Sequence, residues 1–107
     1  MKNILKNKVV FISGKITNDS NYFDKFMIAE NKLKSYGCIV LNPIIIPPNM
    51  KYESQMAICF SLIDQAEYIY MLKDYKQSKG SQRELYYAQA KNKKILFQEE
   101  DKQCKTL

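Results

Sequence analysis

The sequence predicts a three-layer α/β sandwich, with helices on both faces of a parallel sheet of four to five strands. Two observations carry this expectation. Short β-branched and aromatic runs alternate with segments of helical apolar spacing in the order β-α-β-α-β-α-β, which calls for right-handed crossovers between parallel strands. The chain has 107 residues, of which 46% are hydrophobic and 26% charged, the size and balance of a domain with one modest core. A single domain over 1–107 is expected, without internal repeats, and the polar tail 99–107 receives no assignment.

Residues 8–13 (KVVFIS) read as a buried strand that meets a turn at Gly14. From Asn21 to Tyr36 the residues Tyr22, Phe26, Ala29, Leu33 and Tyr36 recur at helical spacing, and Gly37 supplies the C-terminal stop. Residues 38–41 (CIVL) form a second strand, ended by Asn42-Pro43. The next stretch, 44–49, contains Pro47 and Pro48, which cannot donate to a ladder, so it is read as a loop with an apolar wall. Tyr52, Met56, Cys59, Phe60 and Ile63 mark a second helix ending near Gln65, followed by the strand 68–72 (YIYML). After a polar stretch over 73–80, helix formers fill 81–92 with Leu85 and Ala88 on one face, and 94–97 (KILF) is a fourth strand.

Composition removes several function classes. With no histidine, Ser-His-Asp and Cys-His catalysis and HExxH zinc sites are excluded, and chemistry must rest on carboxylates, tyrosines or cysteines. The formal charge of +6 comes from scattered lysines, Arg83 being the sole arginine. Nucleic-acid readers favour arginine forks and gather their charge into a stripe, so nucleic acid is disfavoured as a partner, while an anionic small molecule fits. Cys38, Cys59 and Cys104 show no CxxC spacing and are odd in number, which points to reduced thiols and a cytoplasmic location. The apolar run 9–12 is too short for a signal-peptide core or a membrane span, so no membrane partner is expected. Glycines occur only at 14, 37 and 80. Neither a GxGxxG nor a Walker A loop can be assembled from them, and no cofactor and no metal is expected.

In open parallel sheets, ligands bind beyond the carboxyl ends of the strands where the strand order reverses. Three segments fall there: Ser13-Gly14-Lys15, Asn42-Pro43, and 73–80 with the start of the last helix. Ser78-Lys79-Gly80-Ser81 precedes that helix, whose free N–H groups and positive dipole end suit an anion; a plain polar loop is the equal alternative. Glu84 has two readings. Facing the crevice, its carboxylate could act as nucleophile on a sugar carbon. Ser81-Gln-Arg-Glu84 is also a capping box, and spacing alone favours the cap. Tyr22 and Tyr75 sit where an aromatic face could stack on a nucleobase, although Tyr22 also belongs to the stripe of the first helix. Tyr36, Tyr68, Tyr70, Tyr86 and Tyr87 fit packing or a protomer interface better. Cys59, on the apolar face of its helix, reads as an inert buried thiol.

Phe11-Ile-Ser-Gly14, Asn42-Pro43 and above all Ser78-x-Gly80-x-x-x-Glu84-Leu-x-x-Ala88 resemble the pattern of nucleoside 2-deoxyribosyltransferases and the related 2'-deoxynucleoside 5'-phosphate N-hydrolases. The likeness is greatest to short phage and bacterial relatives of that superfamily, whose third strand is similar to residues 68–72 and whose Ser-x-Gly element follows an aromatic, as Tyr75 does here. It runs from about Val9 to Phe97. The resemblance implies a flavodoxin-like, Rossmann-like parallel sheet of the deoxyribosyltransferase kind and a nucleoside or nucleotide partner. It implies Glu84 as the nucleophile at the anomeric carbon, with Ser13, Gly14, Ser78 and Gly80 cradling sugar or phosphate; Lys15, Asn42 and Ser81 join the expected binding set. Such a carboxylate can trap the oxocarbenium-like state through which an N-glycosidic bond breaks.

One departure stands out. The family's aspartate on the helix before the third strand, which assists the leaving base, aligns with Cys59, whose ordinary pKa of about 8.5 suits acid-base work poorly. Asp64, one turn further, is the candidate replacement, with an exposed charge in the last turn as its other reading. Glu67 fits a structural role better than a catalytic one. Two functions from different classes remain: an enzyme acting at the N-glycosidic bond through Glu84, and a non-catalytic binder of nucleotide derivatives, of phage or bacterial kind, that lacks the second carboxylate. The small domain and its surplus of apolar residues (the 44–48 loop, Met50, Tyr86 and Tyr87) imply a homodimer or higher homo-oligomer that completes the cleft.

Overall fold

A computed structural model of the chain describes residues 2–98; Met1 and the 99–107 tail, with Cys104, lie outside the described residues. The elements run α1 (Lys2–Leu5), β1 (Val9–Ser13), α2 (Tyr22–Ser35), β2 (Ile39–Leu41), α3 (Tyr52–Gln65), β3 (Tyr68–Met71), α4 (Lys79–Ala90) and β4 (Lys94–Phe97), with 3-10 turns at Pro43–Ile45 and Tyr75–Gln77. All strand pairs are parallel and the order is β2-β1-β3-β4. The predicted three-layer α/β sandwich is the observed fold, with four strands among the described residues.

Strand periodicity of two sorts the core into two clusters. Val10 and Ile12 of β1, with Tyr68, Tyr70 and Leu72 along and just after β3, face Leu5, Phe26, Ala29 and Leu33. The intervening residues Phe11, Ile69 and Met71 face α3 and α4 through Cys59, Ile63 and Ala88. Ser13 is two residues beyond Phe11 and therefore points to the α3 and α4 side. That alternation places a hydroxyl beneath α4.

The first crossover ends in a Schellman motif: Gly37 adopts φ +85, its N–H bonds the Lys34 carbonyl, and the Cys38 N–H reaches the Leu33 carbonyl. Gly37 thus stops α2 as the sequence predicts. Three features differ from expectation. α1 escapes periodicity because it is a single turn, yet its Leu5 is 1% exposed and closes the amino end of the α2-side core. The apolar wall after β2 contains the Pro43–Ile45 turn, capped by the Asn42 side chain. α4 starts at Lys79, two residues earlier than predicted, with Ser78 as its N-cap.

Candidate active site

The strand order reverses between β1 and β3, where one crossover departs to β2 and the next returns past β1. This is the position at which doubly wound sheets open a ligand crevice. Here Ser13 ends β1, 0% exposed, and α4 descends over it. The Ser78 hydroxyl accepts the Ser81 N–H at 3.1 Å, fixing the first turn of α4. Ser81 and Glu84 are three residues apart, so they share one helix face, and that face meets Ser13.

The Ser13 hydroxyl donates to Glu84 Oε1 at 2.5 Å, and Ser13 Oγ lies 2.6 Å from Ser81 Oγ. One hydroxyl proton allows Ser13 a single donation, so with Glu84 ionised the chain runs from Ser81 to Ser13 to the carboxylate. The capping-box reading is thereby overturned. Ser81 lies inside the helix, Ser78 is the cap, and the Glu84 carboxyl turns to Ser13 of the sheet.

Burial dominates the Glu84 titration, pushing its pKa up from 4.5 to about 7, against the opposing effects of the Ser13 and Cys59 hydrogen bonds and of the Arg83 charge. Across the gap, Cys59 of α3 is 6% exposed. Its thiol is pushed far up by burial, then by the Glu84 charge and the hydrogen bond to that carboxyl, so Cys59 remains an S–H donor. The expectation of an inert thiol agrees with this. Together these groups give a carboxyl that changes charge near neutrality, with a hydroxyl and a thiol able to hold its ionised form.

The cavity above Glu84 is small, about 80 Å³, and opens to solvent. Gly14, Ser78, Gly80, Ser81 and Glu84, all expected at the site, line it. The packing is tight at two of these points. A Cβ at Gly14 would lie 2.7 Å from Leu72 Cδ1, and one at Gly80 would lie 3.3 Å from Met56 Sδ. Lys15 stands outside this cavity, lining an adjoining depression with Lys79 and Asn18.

Besides Lys15, and Ser13, which holds Glu84 without itself lining the cavity, four expected residues are not brought to it. Asn42 is buried and committed to the scaffold: Nδ2 donates to Glu30 Oε1 at 3.0 Å and to the Phe26 carbonyl at 3.4 Å, while Oδ1 accepts the Ile44 N–H at 3.2 Å. It thereby holds the turn whose Pro43, with Ile46 just after it, walls the cavity. Tyr22 packs on the α2-side core, because the helical stripe it begins is a packing stripe. Tyr75 leans on Phe97 with ring centroids 5.7 Å apart. Asp64 accepts the Tyr87 hydroxyl at 2.7 Å, at the far end of α3. Glu67 takes the structural role expected of it, accepting the Val9 N–H at 3.2 Å.

Of the α3 wall, sequence reasoning placed only Cys59, at the position of the family's aspartate, and missed the rest. Tyr52, Gln55, Met56 and Cys59 line the cavity, because the apolar stripe read as core projects its first turns past the end of the sheet. Among the described residues there is no cluster of three or more acidic, cysteine or histidine side chains able to hold a metal, and no helix is long and apolar enough to cross a membrane.

A parallel sheet in this order, with a buried carboxyl at its reversal point, is a doubly wound α/β fold with a candidate site at its switch point. The chain superposes on the 2-desoxiribosyltransferase from Leishmania mexicana with a TM-score of 0.68 and 18% identity, over 84% of this chain and 63% of that one. It therefore spans less than two thirds of that relative's length. Residues 8–97 match the family described as Domain of unknown function (DUF4406), and the chain belongs to that family. No curated protein matches the sequence.

Proposed function

We propose that this protein binds a nucleoside or nucleotide in the Glu84 cavity and cleaves or transfers at its N-glycosidic bond, with Glu84 as nucleophile. One observation carries the reading: a carboxyl buried at the switch point, opening on a cavity, with one oxygen held at 2.5 Å by the last residue of β1. The fold shared with a 2-desoxiribosyltransferase supports it. In the step we envisage, a Glu84 oxygen attacks the anomeric carbon, the C–N bond breaks, and the base departs with the bonding pair and takes a proton from water. Water then releases the sugar from the glycosyl ester, or a second base accepts it. Ser78, Gly80, Ser81 and Gly14 cradle the sugar or its phosphate, with Lys15 and Lys79 beside them. The nucleophile must be ionised, so activity rises with pH through about 7.

A second reading, binding without turnover, is favoured by a specific observation. Glu84 is the one carboxyl among the described residues lining the cavity, and the group facing it is a thiol that keeps its proton. Asp64, bonded to Tyr87, is not placed to supply the missing acid. In either reading we take a second copy of the chain to complete the cleft. Of the apolar surplus, Tyr87 stacks on Phe60, whereas Ile45 and Tyr86 stay 76% and 69% exposed.

The test is incubation with a panel of deoxynucleosides and their 5'-phosphates, with chromatography for free base, thermal shift for binding and light scattering for mass. Base release that falls at least roughly a thousandfold in Glu84→Gln, from a dimeric species, is the expected result. Binding without base release would leave the non-catalytic reading, and release untouched by Glu84→Gln would remove the nucleophile.

A further inference from the structure

We propose that Lys25 of α2, outside the cavity, is a positioning residue whose ammonium ties the loop after β1 to the loop after β3 and so keeps the floor of the Glu84 cavity closed. Lys25 Nζ bonds Asp19 Oδ2 and Asp74 Oδ2 and donates to the Lys15 carbonyl at 2.8 Å. The other Asp74 oxygen accepts the Lys15 N–H at 3.1 Å. Both backbone polar groups of Lys15 are therefore held, one by the ammonium and one by the carboxylate that the ammonium grips.

The chain on either side of Lys15 and beyond Asp74 builds the cavity itself. Gly14, Ile16 and Thr17 line it, and Asp74 leads through the Tyr75–Gln77 turn to Ser78, the cap of α4. The two loops also touch directly, as the near-contact of Gly14 with Leu72 requires. The side chains of Lys25, Asp19 and Asp74 are 23%, 21% and 20% exposed, so their ion pairs lie partly out of solvent. Removing the ammonium would leave two carboxylates facing each other across the join, with nothing on the Lys15 carbonyl.

Lys25 plays this part whether or not a ligand is turned over, and the test needs no ligand. Cys59 lies in the cavity wall, whereas Cys38 is buried in the α2-side cluster, so the two thiols report on opposite regions. In a Cys104→Ser background, alkylation by iodoacetamide is followed at each cysteine by mass spectrometry. Lys25→Met is expected to speed modification of Cys59 roughly tenfold and leave Cys38 unchanged, as local opening does. Asp74→Asn, which keeps an oxygen for the Lys15 N–H and loses the charge, is expected to fall between; it carries the test if Lys25→Met fails to fold. Equal acceleration at both cysteines would mean general destabilisation, and no acceleration at Cys59 would mean the floor closes without Lys25. Either result overturns the proposal.

Discussion

The two faces of the sheet are built from alternate residues of the same strands, yet among the described residues only one of them holds a carboxyl buried to 7% exposure, Glu84. On the α2 face, Val10, Ile12 and Leu72 meet Phe26, Ala29 and Leu33 in a cluster whose polar atoms are mainly tyrosine hydroxyls at its margin. On the α3 and α4 face, Phe11, Ile69 and Met71 begin the same way, but at the carboxyl end they give way to Ser13, Ser81 and Glu84, all buried. The two buried cysteines record the difference. Burial pushes both thiols up, and only Cys59 also feels a carboxylate charge. One face therefore stabilises the fold without reservation, whereas the other gives up stability to keep an ionisable group buried at the wall of an open cavity.

The largest effect expected from this contrast is on the apolar face. Phe26, fully buried there, should cost about 3–5 kcal/mol on truncation to alanine, measured by urea unfolding. The folded fraction should keep the nucleotide affinity proposed above. A comparable loss of affinity would show that the two faces are not separable. On the other face the sign reverses. The folded pKa of Glu84 lies above its ordinary 4.5, so folding favours its protonated form, and the stability present below that value is lost as pH rises toward about 7. Glu84→Gln removes the penalty and should stabilise the protein by about 2–3 kcal/mol at pH 8 and by little at pH 4. A variant less stable than the parent at pH 8 would break the comparison.

Much of this architecture was legible in local pattern. α3 and β4 begin and end where their apolar spacing places them, and Gly37 stops α2 because nothing else nearby tolerates its backbone. The start of α4 was less so. Ser78 and Ser81 are both competent caps, and the choice between them is made by tertiary contact, since Ser81 and Glu84 are drawn to a hydroxyl 68 and 71 residues away. No local rule contains that information. The family pattern brought Glu84 and the Ser-x-Gly element to notice, but could not tell that Asn42 would be consumed by Glu30, Phe26 and Ile44. Nor could it place Asp64 at Tyr87. Polar residues are assigned by their partners, and partners distant in sequence appear only once the chain is folded.

Glu84 is a buried carboxyl on α4, held against Ser13 at the end of β1, with its pKa pushed up to about 7 by burial. A carbon-13 titration of the Glu84 carboxyl, assigned by difference against Glu84→Gln, tests this without assuming any substrate. The midpoint should fall at about 7, and it should rise in Ser13→Ala, because the lost hydrogen bond lowers it. A midpoint near 4.5, unmoved by the loss of Ser13, would mean a solvated carboxylate and would contradict the account.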